Sequence, residues 1–451
     1  MGNRQGRKLR WRERAQRRRP GQARGQEGLQ HGQVDPRHLV RLEDRKARQG
    51  RRQGQVTFNQ VALEQAAVRG LLRVVSGFLG HDVAPEWRKA AEAIPRHRFL
   101  PDRVWLSDDD DLLTLCDRER EPERWFAAAY GDVPVVTQID DGQEPEDLSD
   151  AIPSSSASAP SIVFKMLELL DLAPGMRVLE IGAGTGFNAA LLSHRLGDIN
   201  VTTIEIDPAV AELASSNLNG LGYAPTVVCG DGSLGWSAQA PYDRVVATCS
   251  VQRVPYAWVD QTRPGGTVLA PWENPWISGG LLRLTVGDDG TATGRFTPDS
   301  SFMLIRTQRR DLRLFRDVVM DDHVPVESTT TLDPWAVADS AFETQFALGH
   351  RLGDLWYAWD HDPDFDDVET RLWVSTTDGT SWAAVDWDGG DDTERYPVWQ
   401  HGPRRLWDEV EAAHDWWLAN DRPGPARFGL TVTPDGQWAW LDDPADAWRL
   451  P

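Results

Sequence analysis

The stretch Val178-Leu179-Glu180-Ile181-Gly182-Ala183-Gly184-Thr185-Gly186 holds the residue types and spacing best suited to chemistry in this chain. An apolar run opening into closely spaced glycines is how a buried parallel strand delivers a nucleotide-like ligand to a helix N-terminus. A dinucleotide fingerprint would read G-x-G-x-x-G, whereas these glycines fall at 182, 184 and 186 and are followed by Phe187. No G-K-[ST] follows either, so the lysine and hydroxyl with which a P-loop holds a nucleotide triphosphate and its magnesium are missing. The remaining common reading of E-x-G-x-G-x-G is S-adenosylmethionine, with Glu180, Gly182, Gly184 and Gly186 as candidate binding residues. A glycine-rich turn without a ligand is the plain alternative, and three downstream features weigh against it.

The first is Glu205, which ends the apolar run Val201-Thr202-Thr203-Ile204 about 20 residues on, where an acid bonds ribose hydroxyls in doubly wound sheets. Asp207, just before Pro208, reads as a helix cap. The second is Asp231-Gly232 after Thr226-Val227-Val228, a carboxylate and a backbone N–H suited to an adenine edge. The third is Tyr242-Asp243-Arg244-Val245-Val246-Ala247-Thr248, a strand leading into a loop, followed by the turn and strand Arg263-Pro264-Gly265-Gly266-Thr267-Val268-Leu269. In this order they predict a doubly wound, seven-stranded, Rossmann-like methyltransferase domain of the α/β class.

The elements that must position these residues occupy a chain of 451 residues, long enough for two or three domains. Residues 1–55 carry 17 Arg and Lys against 5 Asp and Glu, which leaves 31 basic and 64 acidic residues, or −33, for the remainder. The basic segment lacks Ile, Phe and Tyr and cannot bury enough apolar surface to fold. One reading is a basic arm for a polyanion. The other, which its lack of periodicity favours, is upstream sequence before a translation start near Val56. Neither a signal peptide nor an apolar run of membrane-span length is found, which predicts a cytoplasmic protein without membrane contact. Cys116, Cys229 and Cys249 are widely spaced and odd in number, fitting small core residues better than disulfides or a metal site.

Apolar spacing predicts a helix over 58–78 and another from Pro85 that stops at Pro95. Residues 101–150 read as irregular and acidic, with a solvated loop at Asp108 to Asp111, a short helix near Glu123 to Ala129 and an extended Val133 to Gln138. A helix follows Pro160. Residues 313–451 hold 13 of the 21 tryptophans. Two hairpins, around Thr377-Asp378-Gly379-Thr380 and Pro434-Asp435-Gly436, flank an amphipathic helix from Leu406 to Leu418, suggesting a small α+β domain. The predicted organisation is therefore a basic tail over 1–55, a methyltransferase domain with an N-terminal helical extension over 56–312, and an accessory, substrate-recognising α+β domain over 313–451.

Three segments taken together resemble the protein-L-isoaspartate O-methyltransferases: Ala90-Ala91-Glu92-Ala93-Ile94-Pro95-Arg96-His97-Arg98-Phe99-Leu100-Pro101, then Ser158-Ala159-Pro160, then Gly230-Asp231-Gly232-Ser233-Leu234-Gly235-Trp236. The likeness covers roughly residues 60–310. It implies carboxyl methylation of L-isoaspartyl residues in a peptide or protein, with S-adenosylmethionine as methyl donor and Ser158 at the reacting carboxylate. The family usually has Thr-Ile-Ser where this chain has Ser156-Ala157-Ser158, and an Ala/Pro-rich segment where it has Ala247 to Pro255. Its added residues 313–451 resemble the enlarged actinobacterial homologues that methylate an aspartate of a ribosomally made peptide on the way to aspartimide.

A carboxylate, with a reference pKa near 4, is already an anion at neutral pH and needs alignment more than a base. Ser158 could orient its oxygen, or could simply cap the following helix. Base methylation of nucleic acid normally uses an [N/D]-P-P-[Y/F/W] loop where this chain has Thr248-Cys249-Ser250-Val251, and a body at −33 repels phosphate. A non-catalytic scaffold that binds S-adenosylmethionine is the remaining rival, and the intact set Glu205, Asp231 and Ser158 argues against it.

Overall fold

The structure, a computed structural model, describes residues 52–107, 112–143, 145, 148, 151–298, 301–363, 365, 367–390 and 394–451. The basic tail up to residue 51 and the acidic loop Asp108 to Asp111 lie outside these. The first helix runs Arg52–Leu79, entering six residues before the expected start at Phe58. The helix from Pro85 ends at Ala93, ahead of Pro95, as its sequence requires. Among the described residues no helix is long and apolar enough to cross a membrane.

Four strands precede the glycine loop: β1 (Arg103–Ser107), β2 (Leu113–Asp117), β3 (Val135–Ile139) and β4 (Pro153–Ala157), in the spatial order β2-β1-β3-β4. The β1–β2 hairpin corrects the expectation of an irregular 101–150. Its strands show little apolar alternation, with Val104 and Cys116 as their fully buried members, so the pattern that marks a strand is faint. A short helix, Pro122–Ala129, packs Trp125 and Ala129 beneath it.

The glycine loop belongs to a second sheet. Its strands are β5 (Val178–Ile181), β6 (Val201–Glu205), β7 (Thr226–Cys229), β8 (Tyr242–Ala247), β9 (Thr262–Glu273), β10 (Ser278–Val286) and β11 (Ala292–Pro298). β5 pairs in parallel with β6 on one side and β8 on the other. Strand order therefore reverses at β5, and a crevice opens at its carboxyl end. Every residue of β5 and β6 is buried, as strands covered by helices on both faces must be.

The sheet has ten strands where seven were expected. The other three are β17 (Phe428–Thr433), β18 (Gly436–Leu441) and β19 (Trp448–Arg449), with β17 antiparallel to β11. Residues 313–451 thus do not form one self-contained unit. Their first part builds a five-stranded sheet, β12 (Val326–Thr330), β13 (Leu355–Asp360), β14 (Thr370–Thr376), β15 (Trp382–Trp387) and β16 (Tyr396–His401), under the helices Phe342–Leu352 and Leu406–Ala419. Their last part covers the edge of β11, whose backbone groups would otherwise be left unpaired. Both expected hairpins are present, as β14–β15 and β17–β18. Of the tryptophans of residues 313–451, Trp373, Trp382, Trp407 and Trp440 are buried and the other nine are half-buried.

At the β11–β17–β18 junction Gly429 lies opposite Trp440, whose indole N–H donates to Thr431 Oγ1 at 3.1 Å and whose ring carries the Arg295 guanidinium 4.7 Å from its centre. A Cβ on Gly429 would meet that ring at 2.1 Å. Gly429→Ala should therefore destabilise the fold by about 1–3 kcal/mol, the usual cost of overpacking. Urea unfolding is the measurement, and the double variant with Trp440→Leu should recover part of the loss.

Candidate active site

The crevice beyond β5 is walled by the glycine turn, the ends of β6 and β8, and two segments from elsewhere in the chain: 154–158 and 302–309. Ile204 O accepts from Gly182 N at 2.8 Å and from Ala183 N at 2.9 Å, fixing the turn to β6. Gly182 has φ +92°, and a Cβ there would stand 2.8 Å from Thr248 Oγ1, so the loop after β8 packs where only glycine leaves room. Gly184 also lies on the wall. Gly186 does not. It sits behind the turn against Ala214 and Leu218, and starts the helix Phe187–Leu196.

Of the expected acids, Glu205 and Asp231 reach the wall, as does Gly232. Glu205 Oε2 accepts from Gly184 N at 2.9 Å and Oε1 from Asp207 N at 3.1 Å, which holds both oxygens at the cavity. Burial pushes its carboxyl above the ordinary range, while those two N–H groups and Arg306 pull it back. Asp231 Oδ1 accepts from Ser233 N at 2.9 Å, and Gly232 O from Trp258 Nε1 at 2.8 Å. Asp207 is the helix cap its sequence predicts, accepting from Ala209 N and Val210 N.

Glu180 departs from expectation. It is fully buried and lies behind the wall, with Oε1 accepting from Asn188 Nδ2 at 2.7 Å. The side chain that lines the cavity there is Asn188. Ile181, the next residue on β5, also reaches the wall, while on Glu180's own face the wall is made by Asn188 and Val246, which cover the carboxyl. Burial raises the Glu180 carboxyl to about 7, against the opposing pull of Thr203 and Asn188.

Ser158 lies on the wall, partly exposed, between β4 and the helix Pro160–Leu169. It does not cap that helix. The capping position is Ala159, with no side-chain bond, and the first turn is served by Asp132, which accepts from Ser161 N at 2.8 Å and Ser161 Oγ at 2.5 Å. Ser158 is instead held by its backbone, its carbonyl accepting from Arg96 Nη2 at 3.0 Å. The same guanidinium donates to the carbonyls of Ala128, Ala129, Val133 and Ala157.

A family model described as Protein-L-isoaspartate(D-aspartate) O-methyltransferase (PCMT) matches residues 110–295. A protein-L-isoaspartate O-methyltransferase of Methanosarcina mazei is 34% identical over 200 residues, which cover 44% of this chain and 68% of that protein. The chain belongs to the protein-L-isoaspartate O-methyltransferase family. A second member, from Archaeoglobus fulgidus, is 41% identical over 184 residues, 40% of this chain and 69% of its own. The chain thus spans about two thirds of the relatives it matches. Among solved structures, one titled protein-L-isoaspartate O-methyltransferase aligns with a TM-score of 0.47 and 20% identity, over 83% of this chain and all of its own.

Family motifs do not reach Arg306 and Arg309, which also line the cavity. Arg306 clamps Asp207, Gln138 and Asp141 together, and Arg309 shares Asp141. The signal that could have found them is compositional: five arginines between 306 and 316 in an acidic body. The cysteines also differ from expectation. Cys116 is buried, but Cys229 is exposed and Cys249 lies on the cavity wall, because each ends or follows a strand at the carboxyl end of the sheet, where the crevice opens.

Glu180 gives the fold a pH dependence with a definite sign. Its folded value of about 7 stands above the ordinary value of 4.5, so the unfolded chain gives up this proton first as pH rises. The carboxyl's contribution therefore falls between about pH 4.5 and 7, by a total of about 3 kcal/mol, and is level above that. Glu180→Gln keeps the oxygen that faces Asn188 and has no proton to lose. Urea unfolding should show this variant gaining on the wild type between pH 4.5 and 7.

Proposed function

We propose that this chain is an S-adenosylmethionine-dependent carboxyl O-methyltransferase acting on L-isoaspartyl residues of peptides or proteins. The observation that carries the reading is that one cavity joins the glycine turn and Glu205 to Ser158, three features drawn from separate parts of the chain. The residues present fit the cofactor. Gly182 and Gly184 leave backbone bare at the wall, Glu205 keeps lone pairs for ribose hydroxyls, and Asp231 with Gly232 supplies a carboxylate and an N–H beyond β7. When bound, S-adenosylmethionine supplies a methyl group on a sulfonium: the acceptor oxygen forms the C–O bond, the S–C bond breaks, and its electron pair stays on sulfur.

No proton moves in that exchange, so the wall needs no base. The chain's task is to hold the acceptor in line and exclude competitors. Ser158, free of capping duty, can donate to the carboxylate while its backbone stays pinned by Arg96. A single neutral hydrogen bond orients the oxygen without removing its nucleophilicity. Cys249 is the competing nucleophile on the wall. Burial, with Glu205 adding to it, pushes that thiol up to about 12, so it remains protonated at neutral pH and takes no methyl. Once released, the methyl ester can be attacked by the following backbone nitrogen, expelling methanol and closing a succinimide.

Two variants separate the roles. Ser158→Ala should lower methyl transfer to an isoaspartyl peptide at least tenfold with S-adenosylhomocysteine affinity nearly intact. Glu205→Ala should instead weaken that affinity by about 1–3 kcal/mol, the scale of a lost charge-assisted hydrogen bond. Methyl transfer followed by mass spectrometry, with calorimetry for the affinity, tests both. If the two variants lose binding and activity in step, the assignment is wrong. Running an aspartyl peptide beside the isoaspartyl one tests the narrower reading suggested by the added residues, a dedicated aspartate methyltransferase of the enlarged actinobacterial kind.

The same proposal gives residues 313–427 the work of recognising the acceptor chain. Its support is β12, at the edge of the five-stranded sheet, with four of its five residues exposed and β16 as its single strand partner among the described residues. An edge of this kind can accept an extended peptide as a further strand. A long acceptor peptide should slow amide exchange across 326–330, whereas an isoaspartyl tripeptide should not. Unchanged exchange with every acceptor would remove this role.

A further inference from the structure

The body of this protein is acidic, yet residues 306–316 carry Arg306, Arg309, Arg310, Arg313 and Arg316. Most of this charge is spent on neighbours. Arg306 gives Nε to Asp141 at 3.0 Å, Nη1 to Asp207 at 3.2 Å and Nη2 to Gln138 at 2.8 Å, so all three nitrogens are engaged. Arg313 and Arg316 pair with Asp311, and Arg316 also with Asp317. Arg310 donates to Thr377 O and lies outside the cavity.

Arg309 differs. It lines the cavity, and two of its nitrogens are taken, Nη1 by Asp141 at 3.1 Å and Nε by Leu304 O at 3.2 Å. Its Nη2 has no hydrogen-bond partner among the described residues, and the side chain is 29% exposed. The backbone beneath it is fixed to the loop after β8: Ser250 N donates to Met303 O and Ile305 N to Ser250 O, both at 2.9 Å, while Gln308 Oε1 accepts from Gln252 N and Arg253 N. The neighbouring Cys249, also on the wall, feels the charges of both Glu205 and Arg309.

A carboxylate entering this cavity meets repulsion from Glu205 and Asp231 and finds Arg306 already compensated. We infer that Arg309 receives the carboxylate of the acceptor, its open Nη2–H bonding the oxygen that is not methylated. A fork fixed at two corners presents its third donor in one direction, so the bond sets which oxygen is free to react. Arg309 would act on where the acceptor sits and would leave the cofactor alone. The inference rests on the methyltransferase reading given above.

The test uses the full chain with Arg309→Met and Arg309→Lys, and Arg309→Gln should the methionine variant fail to fold. Steady-state methyl transfer to an isoaspartyl peptide gives KM and kcat, and calorimetry gives the affinity for S-adenosylhomocysteine. The expected result is an acceptor KM raised about tenfold or more in Arg309→Met, with S-adenosylhomocysteine affinity within twofold of wild type and part of the KM restored in Arg309→Lys. Unchanged KM would overturn the inference. So would a parallel loss of S-adenosylhomocysteine affinity, which would put the guanidinium on the cofactor's own carboxylate, or a lysine variant as poor as the methionine one, which would mean that shape was lost and not charge. A wild-type enzyme that methylates no isoaspartyl peptide in the same assay would defeat the underlying function instead.

Discussion

The guanidinium of Arg96 is buried, and five backbone carbonyls close around it. Removing a charge from water costs several kcal/mol, and burial lowers this one to about 10, still high enough to keep it protonated at neutral pH. The structure bears that cost because the carbonyls have few other partners. Those of Ala128 and Ala129 belong to the last turn of the helix Pro122–Ala129, where carbonyls are left without intrahelical donors and the helix dipole is negative. Those of Ala157 and Ser158 leave β4 just before the helix at Pro160. One planar fork thus joins the N-terminal helical region, the four-stranded sheet and the serine segment, and the cavity inherits its shape from that junction. A lysine offers a single point of charge and could not hold both groups of carbonyls at once.

What was legible in the sequence is what short-range chemistry decides. The glycine turn, Glu205 at the end of β6, Asp207 as a cap and the turns of the two hairpins each depend on residues within a few positions of one another, and each lies where its pattern puts it. Glu180 shows the limit. Its neighbours mark the strand, but only the packed sheet reveals that Ile181 takes the wall and Glu180 the interior. Arg306 and Arg309 are harder still, because their partner Asp141 is 168 residues away from Arg309. No local pattern encodes such a pairing. The β1–β2 hairpin was missed for a different reason, since most of its residues are only half buried and the apolar alternation that marks a strand is weak.

The arginines also bear on how an acidic protein handles an acidic acceptor. At −33 outside its first 55 residues, the body repels carboxylates at long range. Within the cavity the balance is set locally. Arg306 neutralises Asp207 and half of Asp141, and leaves Arg309 to face inward. Long-range repulsion by the body and the local charges of the cavity therefore act on an acidic acceptor in opposite senses.

The pairing of β11 with β17 has a consequence for synthesis. Thr293 and Thr431, 138 residues apart, face one another across that seam. While the intervening residues are still being made, β11 is an open edge carrying unpaired N–H and C=O groups beside the apolar surface of Phe296 and Ala292. At about 5–20 residues per second on the ribosome, that exposure lasts on the order of ten seconds. The nascent chain therefore passes through a period in which its catalytic sheet is present but unsealed, and a chaperone, or a pause placed after residue 433, would have most effect on yield there.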